Sequence, residues 1–433
     1  MSISVATTCK LAAWAGILLL APPVFAATEY TDDGDHGARN EAIRWLVNRA
    51  RHAPEREADR YGMVNAANRD YDICEDADGV NDFGTTAAQW AVWAARKPPL
   101  APHRLVSEAC DTHCRDMAET QVVQHNSPSA NYYPINSAPM QRQTVEGYAN
   151  SVSGFIENIV SGGSGSTGGY PAEAVSAVRA HDLLLVDSGV ASRGHRKMIL
   201  NANAREIGLG YYQRRLPQNI GGINYLVTRD YYTQDVGLRS AWSFFTDTMY
   251  FDANGNGIYD AGEGAGGVEI RLQVNGVLSA WCDRSSASGS FAVPMQDIAA
   301  GSTVDVVLVN SAATPRLLTL PQGYEAQGDL ELAPGEARVV GRFLRPPALA
   351  NAGFRDVALY LGVDVAAAAG GLQLSFEAHP GLTYTVECAC LSAPDVWQAV
   401  TSLVADETRE TVTLPLGGGA PSCLAYRVAY QKD

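Results

Sequence analysis

Basic residues are in short supply in this 433-residue chain: 32 Lys and Arg face 47 Asp and Glu, leaving a formal charge of -15. A chain this acidic has no cationic surface with which to neutralise phosphates, which argues against nucleic acid as a partner. Long apolar runs are equally scarce. Leu11 to Phe25 is shorter than the ~20 residues needed to span a bilayer, and no later stretch reaches that length. Several catalytic signatures are missing. There is no Gly-x-Ser-x-Gly and no His-Glu-x-x-His, and the glycine-rich stretch 162–169 lacks the Gly-Lys-Ser/Thr ending of a phosphate loop. Cysteine spacing matches neither a zinc ribbon nor a Cys-x-x-Cys redox pair.

What is present begins with residues 1–26, which have the pattern of a secretory signal: Lys10 as the only charge, an apolar centre and a small-x-small ending, Val24-Phe25-Ala26. The mature chain is expected to start at Ala27 and to be secreted, with no transmembrane segment after processing. Export places the cysteines in an oxidising compartment. Cys74 is expected to pair with Cys110 or Cys114, and Cys423 with Cys388 or Cys390, while Cys282 stays free.

Residues 27–38 are polar and acidic and read as a frayed start. Asn40 is placed to cap a helix in which Ile43, Leu46, Val47 and Ala50 form one apolar stripe. Residues 64–85 read as an acidic loop, and Ala87 to Ala95 as a short helix. A helix from Leu105 to Val123 carries Val106, Cys110, His113 and Met117 on one face and leaves His125 at its exit. His113 reads as a packed core residue, Gly162 to Gly169 as a loop, and Pro171 to Val186 as a helix. His181 is expected at the solvent or capping a turn, and Arg196 and Lys197 on a solvated face. Runs from Ile207 to Gln213 and Asn224 to Tyr232 alternate as strands, with Gly221-Gly222 as the turn. The first domain is therefore α+β, over 35–235. Beyond Gly237, strand-like runs separated by Gly, Asn and Ser turns predict two all-β sandwich modules, 243–344 and 352–433.

Six motifs of the first domain stand in an informative order. They are Leu46-Val-Asn-Arg-Ala-Arg51, Ala109-x-x-x-His113-x-x-x-Met117, His125, Glu157-Asn-Ile159, Gly194-His-Arg-Lys-Met-Ile-Leu200 and Ile207-Gly-Leu-Gly210. In that order they resemble the bacterial branch of the CAP superfamily (cysteine-rich secretory, antigen 5 and pathogenesis-related-1 proteins). The resemblance implies an α-β-α sandwich with a cleft carrying two His and two acids, in which some members bind a divalent metal. Carried over, these are His125, Glu157, Asp187 and His195. Asp187 stands where the family usually has Glu, ahead of a longer turn. The chemistry fits independently: imidazole is a common ligand for zinc-like metals, and a carboxylate beside it fixes its tautomer. His125 and His195 are the candidate ligands for Zn2+ or another divalent ion.

A second constellation runs from Asp252 to Glu263. It fills the twelve-residue calcium-loop pattern with side-chain oxygens from Asp252, Asn254, Asn256, Asp260 and Glu263 and the main-chain carbonyl of Ile258, and Gly257 allows the turn. The implied Ca2+ is structural. Residues 243–344 around it resemble calcium-binding B-type modules of bacterial surface adhesins. The last module is similar to small C-terminal β-sandwich domains of secreted proteins, with Tyr384 and Trp397 as core residues. The preferred function is a secreted binding protein whose His/acid cleft takes a lipid, peptide or cell-envelope component. One alternative is a metal-assisted hydrolase with Glu157 as general base. The other is a surface protein acting through its β modules.

Overall fold

The computed structural model describes residues 27–61, 94–187, 190, 192–322, 325–347, 350–361, 364–368, 371–378, 383–390, 393–406, 409–415 and 423–430. The signal, most of the 64–95 region and Cys74 lie outside these residues. The first part of the chain runs β1 (Thr28–Glu29), α1 (Ala38–His52), α2 (Pro54–Arg60), β2 (Ala101–Pro102), α3 (Arg104–Thr120), α4 (Pro139–Val145), β3 (Glu157–Ser166), α5 (Ala177–Val186), α6 (Gly194–Ile199), β4 (Glu206–Ile220) and β5 (Ile223–Gly237). Strands β2, β4, β5 and β3 form one sheet in that order.

The β4–β5 hairpin turns at Gly221-Gly222, where both φ angles are positive, as the sequence predicts. Its register opposes Tyr211 to Tyr232 and Tyr212 to Tyr231. Alternation along a strand sends these pairs to opposite faces. Tyr232, Ile207, Leu209 and Val236 pack with Ile43, Leu46, Val47 and Ala50 of α1 and with α5. Tyr231 packs with Cys114, Met117 and Ala118 of α3. The result is a helix–sheet–helix sandwich.

Several local readings change in three dimensions. The glycine-serine stretch 162–166 is strand, not loop, paired throughout with β5. Composition alone misleads there because glycine has low strand propensity. Val175 lies over the strand so closely that a Cβ on Gly162 would sit 2.3 Å from its Cγ2. Asn40 is not the cap. Gly37 precedes the helix, and the Asn40 amide donates to Leu209 O of β4 (3.2 Å). His181 is fully buried 3.6 Å from Glu57 rather than facing solvent. Cys110 and Cys114 carry no disulfide; burial, the first cause, holds their thiol pKa values well above the usual range. Cys282 is free, as expected, and burial raises its pKa to about 11. The described residues therefore give no support to the proposed Cys74 bridge.

After Gly237 the chain is β-rich. Strands from both expected modules join one nine-stranded sheet in the order β1, Val277–Arg284, Val268–Val274, Thr303–Asn310, Ala337–Leu344, Ala358–Leu361, Cys423–Tyr430, Thr383–Cys390 and Ala393–Val404. One apolar cluster runs from Phe245 and Val268 through Phe343 and Leu359 to Tyr384 and Val428. The two β regions thus share a sheet and a core. Tyr384 is buried within it, as expected, and the Trp397 side chain lies outside the described residues.

Residues 27–36 are not frayed. β1 adds a parallel strand to Val277–Arg284, pairing Glu29 with Cys282. Tyr30 is buried and its hydroxyl accepts from Arg239 (2.6 Å). Asp33 and Asp283 meet in this seam, both buried. Burial, above all, raises Asp33 from 3.8 to about 6. Burial and then the Asp33 charge hold Asp283 well above the carboxylate range. Both acids are favoured in their protonated form when folded. Their contribution is present at low pH and is lost as pH rises through the folded pKa, about 6 for Asp33. Relative to an Asp33→Asn variant, the wild type is expected to lose about 2 kcal/mol of stability between about pH 4 and pH 7. Denaturant titrations across that range check this, and parallel curves for the two proteins refute it.

Candidate functional site

Helix α3 ends at Thr120, and Gln121 leaves it in the left-handed region (φ 60°). The chain turns there and presents His125, whose side chain is 53% exposed. Its Nδ1 lies 2.9 Å from Glu157 Oε1. Glu157 opens β3, opposite Asp235 of β5, and its side chain is buried. Behind it stands Arg142 of α4, with no exposed surface. The Arg142 Nη2 donates to Glu157 Oε2, and Nη1 donates to the carbonyls of His125 (2.7 Å) and Ser137 (2.9 Å).

The second acid sits just past α5. Asp187 takes a left-handed conformation (φ 55°), which its short polar side chain tolerates. Its Oδ1 lies 2.6 Å from His195 Nδ1, and its Oδ2 accepts the backbone N–H groups of His195 (3.1 Å) and Arg196 (3.3 Å). One carboxylate therefore orients the imidazole and caps the start of α6, where backbone N–H groups lack partners. Arg196 is buried, contrary to the solvated face expected, and donates to Leu185 O (2.7 Å) and Val186 O at the end of α5. Lone carbonyls at a helix end are natural acceptors for a guanidinium.

The structure thus groups the four expected residues as two pairs, His125–Glu157 and His195–Asp187. The pairs are joined through consecutive residues of β3: Glu157 meets His125, and the Asn158 amide donates to His195 O (3.1 Å). Adjacent strand residues face opposite ways, so the Glu157 and Asn158 side chains reach the two histidine segments from opposite faces of β3. Each ionised carboxylate only accepts hydrogen bonds, so each imidazole carries its proton on Nδ1 and turns Nε2 away from its acid. Among the described residues, no three His, Cys, Asp or Glu side chains gather in a metal-holding cluster.

Two functional residues escape a motif reading. Asn158 lies inside the Glu157-Asn-Ile triplet and could have been suspected there. Arg142 sits in a short helix with no signature, so only the fold reveals it. His113 is a buried core residue, as expected. It donates from Nε2 to Gln124 O (3.0 Å), and burial, chiefly, lowers its pKa to about 4. The outer side of α4 faces an open groove of about 660 Å³ lined by Pro134, Ile135, Met140 and Val145.

The Asp252–Glu263 loop is tied by its own oxygens. Asp252 accepts the N–H groups of Asn256 (3.1 Å) and Gly257 (2.8 Å), and Glu263 accepts those of Ala253 (3.0 Å) and Asp260 (2.9 Å). Asn254 and Asn256 amides both donate to Asp260 Oδ2 (2.8 and 2.7 Å). Gly255 and Gly257 have positive φ, which makes glycine the natural residue at the turn. Tyr259 points inward, bonds Ser288 O (3.0 Å) and packs in the same cluster as Ala42 and Trp45 of α1. The loop therefore lies where the first domain meets the β-rich region.

Residues 46–229 match the family model of CAP, the cysteine-rich secretory protein family. No curated protein and no solved structure matches the chain.

Proposed function

We propose that the region matched to the CAP family is a secreted binding unit, and that His125 and His195 hold a divalent metal of the zinc type through their Nε2 atoms. The observation that carries this reading is the common arrangement of the two imidazoles. Each gives its Nδ1 to a buried carboxylate and keeps Nε2 turned away from it (2.9 Å for His125, 2.6 Å for His195). A carboxylate behind a ligating imidazole fixes the tautomer and raises basicity. A bound metal with two protein ligands would keep positions for an outside donor, such as a lipid headgroup, peptide or envelope component. Binding is favoured over hydrolysis because Glu157 is buried and both of its oxygens are taken, by His125 and Arg142. A general base must reach the proton it abstracts.

Zinc titration tests the site. The wild type is expected to bind zinc, the His125→Ala/His195→Ala double variant not to, and Asp187→Asn to bind about 10–100-fold more weakly. Equal zinc content in wild type and double variant sinks the reading. Export agrees with the secretory character of the family that matches.

The Asp252–Glu263 loop we read as a structural calcium site. Its side-chain donors offer oxygen, which suits a hard cation. Thermal melts at calcium about 100-fold above the dissociation constant are expected to gain about 2.7 kcal/mol over melts with chelator. An Asp252→Ala variant that keeps this gain rules the site out.

A further inference from the structure

Beneath the His125–Glu157 pair lies a second acid that no motif assigns. Asp235 opposes Glu157 across β3 and β5, has no exposed surface and sets its carboxyl group against that of Glu157. Its Oδ2 accepts from Gln143 Nε2 (3.0 Å), while its Oδ1 has no donor to accept from among the described residues. An ionised carboxylate cannot donate, so two ionised acids would meet here oxygen to oxygen. Among the described residues, the one permanent cation in contact is Arg142, which already faces Glu157. One guanidinium balances one carboxylate; a second buried negative charge would stand uncompensated. Protonated on Oδ1, Asp235 satisfies both problems, since the orphan acceptor becomes the donor to Glu157. Burial and the neighbouring Glu157 charge act in the same direction.

We propose that Arg142 and neutral Asp235 are the positioning residues of the His125–Glu157 pair. Arg142 grips the Glu157 carboxylate with one nitrogen and the His125 carbonyl with another, so a single rigid fork sets both partners. Asp235 donates its proton to Glu157 and keeps that carboxylate from turning away from the imidazole. Together they present His125 with the proton on Nδ1 and the lone pair on Nε2. The proposal rests on the binding reading for its purpose, but its structural content concerns the unliganded chain.

The test is the tautomer of His125 in the full chain labelled with 15N-histidine, assigned by comparison with His125→Ala and measured without metal. Asp235→Asn replaces a neutral donor and acceptor by another of the same shape, and is expected to leave His125 in the Nδ1-protonated form. Asp235→Leu removes the donor, and Arg142→Lys keeps the charge but cannot span both acceptors. Each is expected to shift the tautomer ratio toward Nε2-protonated by about tenfold, the worth of one charge-assisted hydrogen bond. If Asp235→Asn shifts the ratio as far as Asp235→Leu, or Arg142→Lys leaves it unchanged, the proposal is overturned. Should Arg142→Lys fail to fold, the isosteric Asp235→Asn measurement decides alone. A wild-type chain with the expected tautomer pattern that takes up no zinc would overturn the metal reading and leave these two roles standing.

Discussion

Replacing Gly208 by alanine is expected to destabilise the fold by about 3 kcal/mol, and Gly210→Ala by a similar amount. Neither glycine needs an unusual backbone angle; what each needs is space. A Cβ on Gly208 would lie 2.2 Å from Val106 C and 2.4 Å from Ser107 N, and one on Gly210 would lie 2.3 Å from Cys110 C. Those atoms are backbone of α3, which cannot swing aside as a side chain would. The helix must lift from the sheet, opening gaps around Met117 and Tyr231, which are fully buried. The same helix delivers His125 at its exit, so zinc uptake should weaken along with stability. Chemical denaturation of the single variants checks the cost. A loss under about 1 kcal/mol for both would show that α3 is not held at this distance.

The second large effect is expected from Arg44→Ala, about 3–5 kcal/mol. Glu41 and Arg44 are both fully buried, one turn apart on α1. The Arg44 Nε lies 2.8 Å from Glu41 Oε2, and Nη2 donates to Asp247 O (2.8 Å) and Thr248 Oγ1 (3.1 Å). A further bond reaches Leu100 O (3.1 Å). This one side chain ties α1 to the strand Phe244–Thr248 of the β-rich region. Burial pushes the Glu41 pKa up, but Arg44 and His36 more than offset it and leave it below the usual value. Removing Arg44 strands a negative charge beside His36 and orphans buried carbonyls. A lowered folded pKa contributes stability that is present above the unfolded value and lost as pH falls. The difference between wild type and Arg44→Ala should therefore shrink in acid. Calorimetry is expected to show the first domain and the β-rich region melting less cooperatively in the variant. A single unchanged transition would refute the role assigned to this seam.

Much of the first domain was legible from order and periodicity. The stripe Ile43, Leu46, Val47 and Ala50 is buried as its spacing requires, because 3.6-residue periodicity needs no knowledge of the partner. The Gly221-Gly222 turn was equally plain, since positive φ at both positions restricts the residue type. Gly208 and Gly210 stand in a recognisable motif, but its meaning, a helix backbone at contact distance, appears only once α3 is laid on β4. The glycine-serine stretch 162–166 reads as loop for the opposite reason: nothing local favours a strand there, and pairing with β5 decides it.

For the site, the order of the motifs singled out four side chains, two imidazoles and two acids, through the family resemblance that order carries. The sequence also determined the oxygen-rich loop from Asp252 to Glu263, because its pattern is local and complete within twelve residues. Only the tertiary structure decided how the four are paired, that Glu157 serves His125 while Asp187 serves His195. It alone brought Arg142 and Asp235 beneath the first pair and merged the two β regions into one sheet. The physical reason is the same in each case. Hydrogen-bond partners and strand neighbours come from residues distant in the chain, chosen by packing, and a buried charge takes its meaning from whichever opposite charge the fold sets beside it.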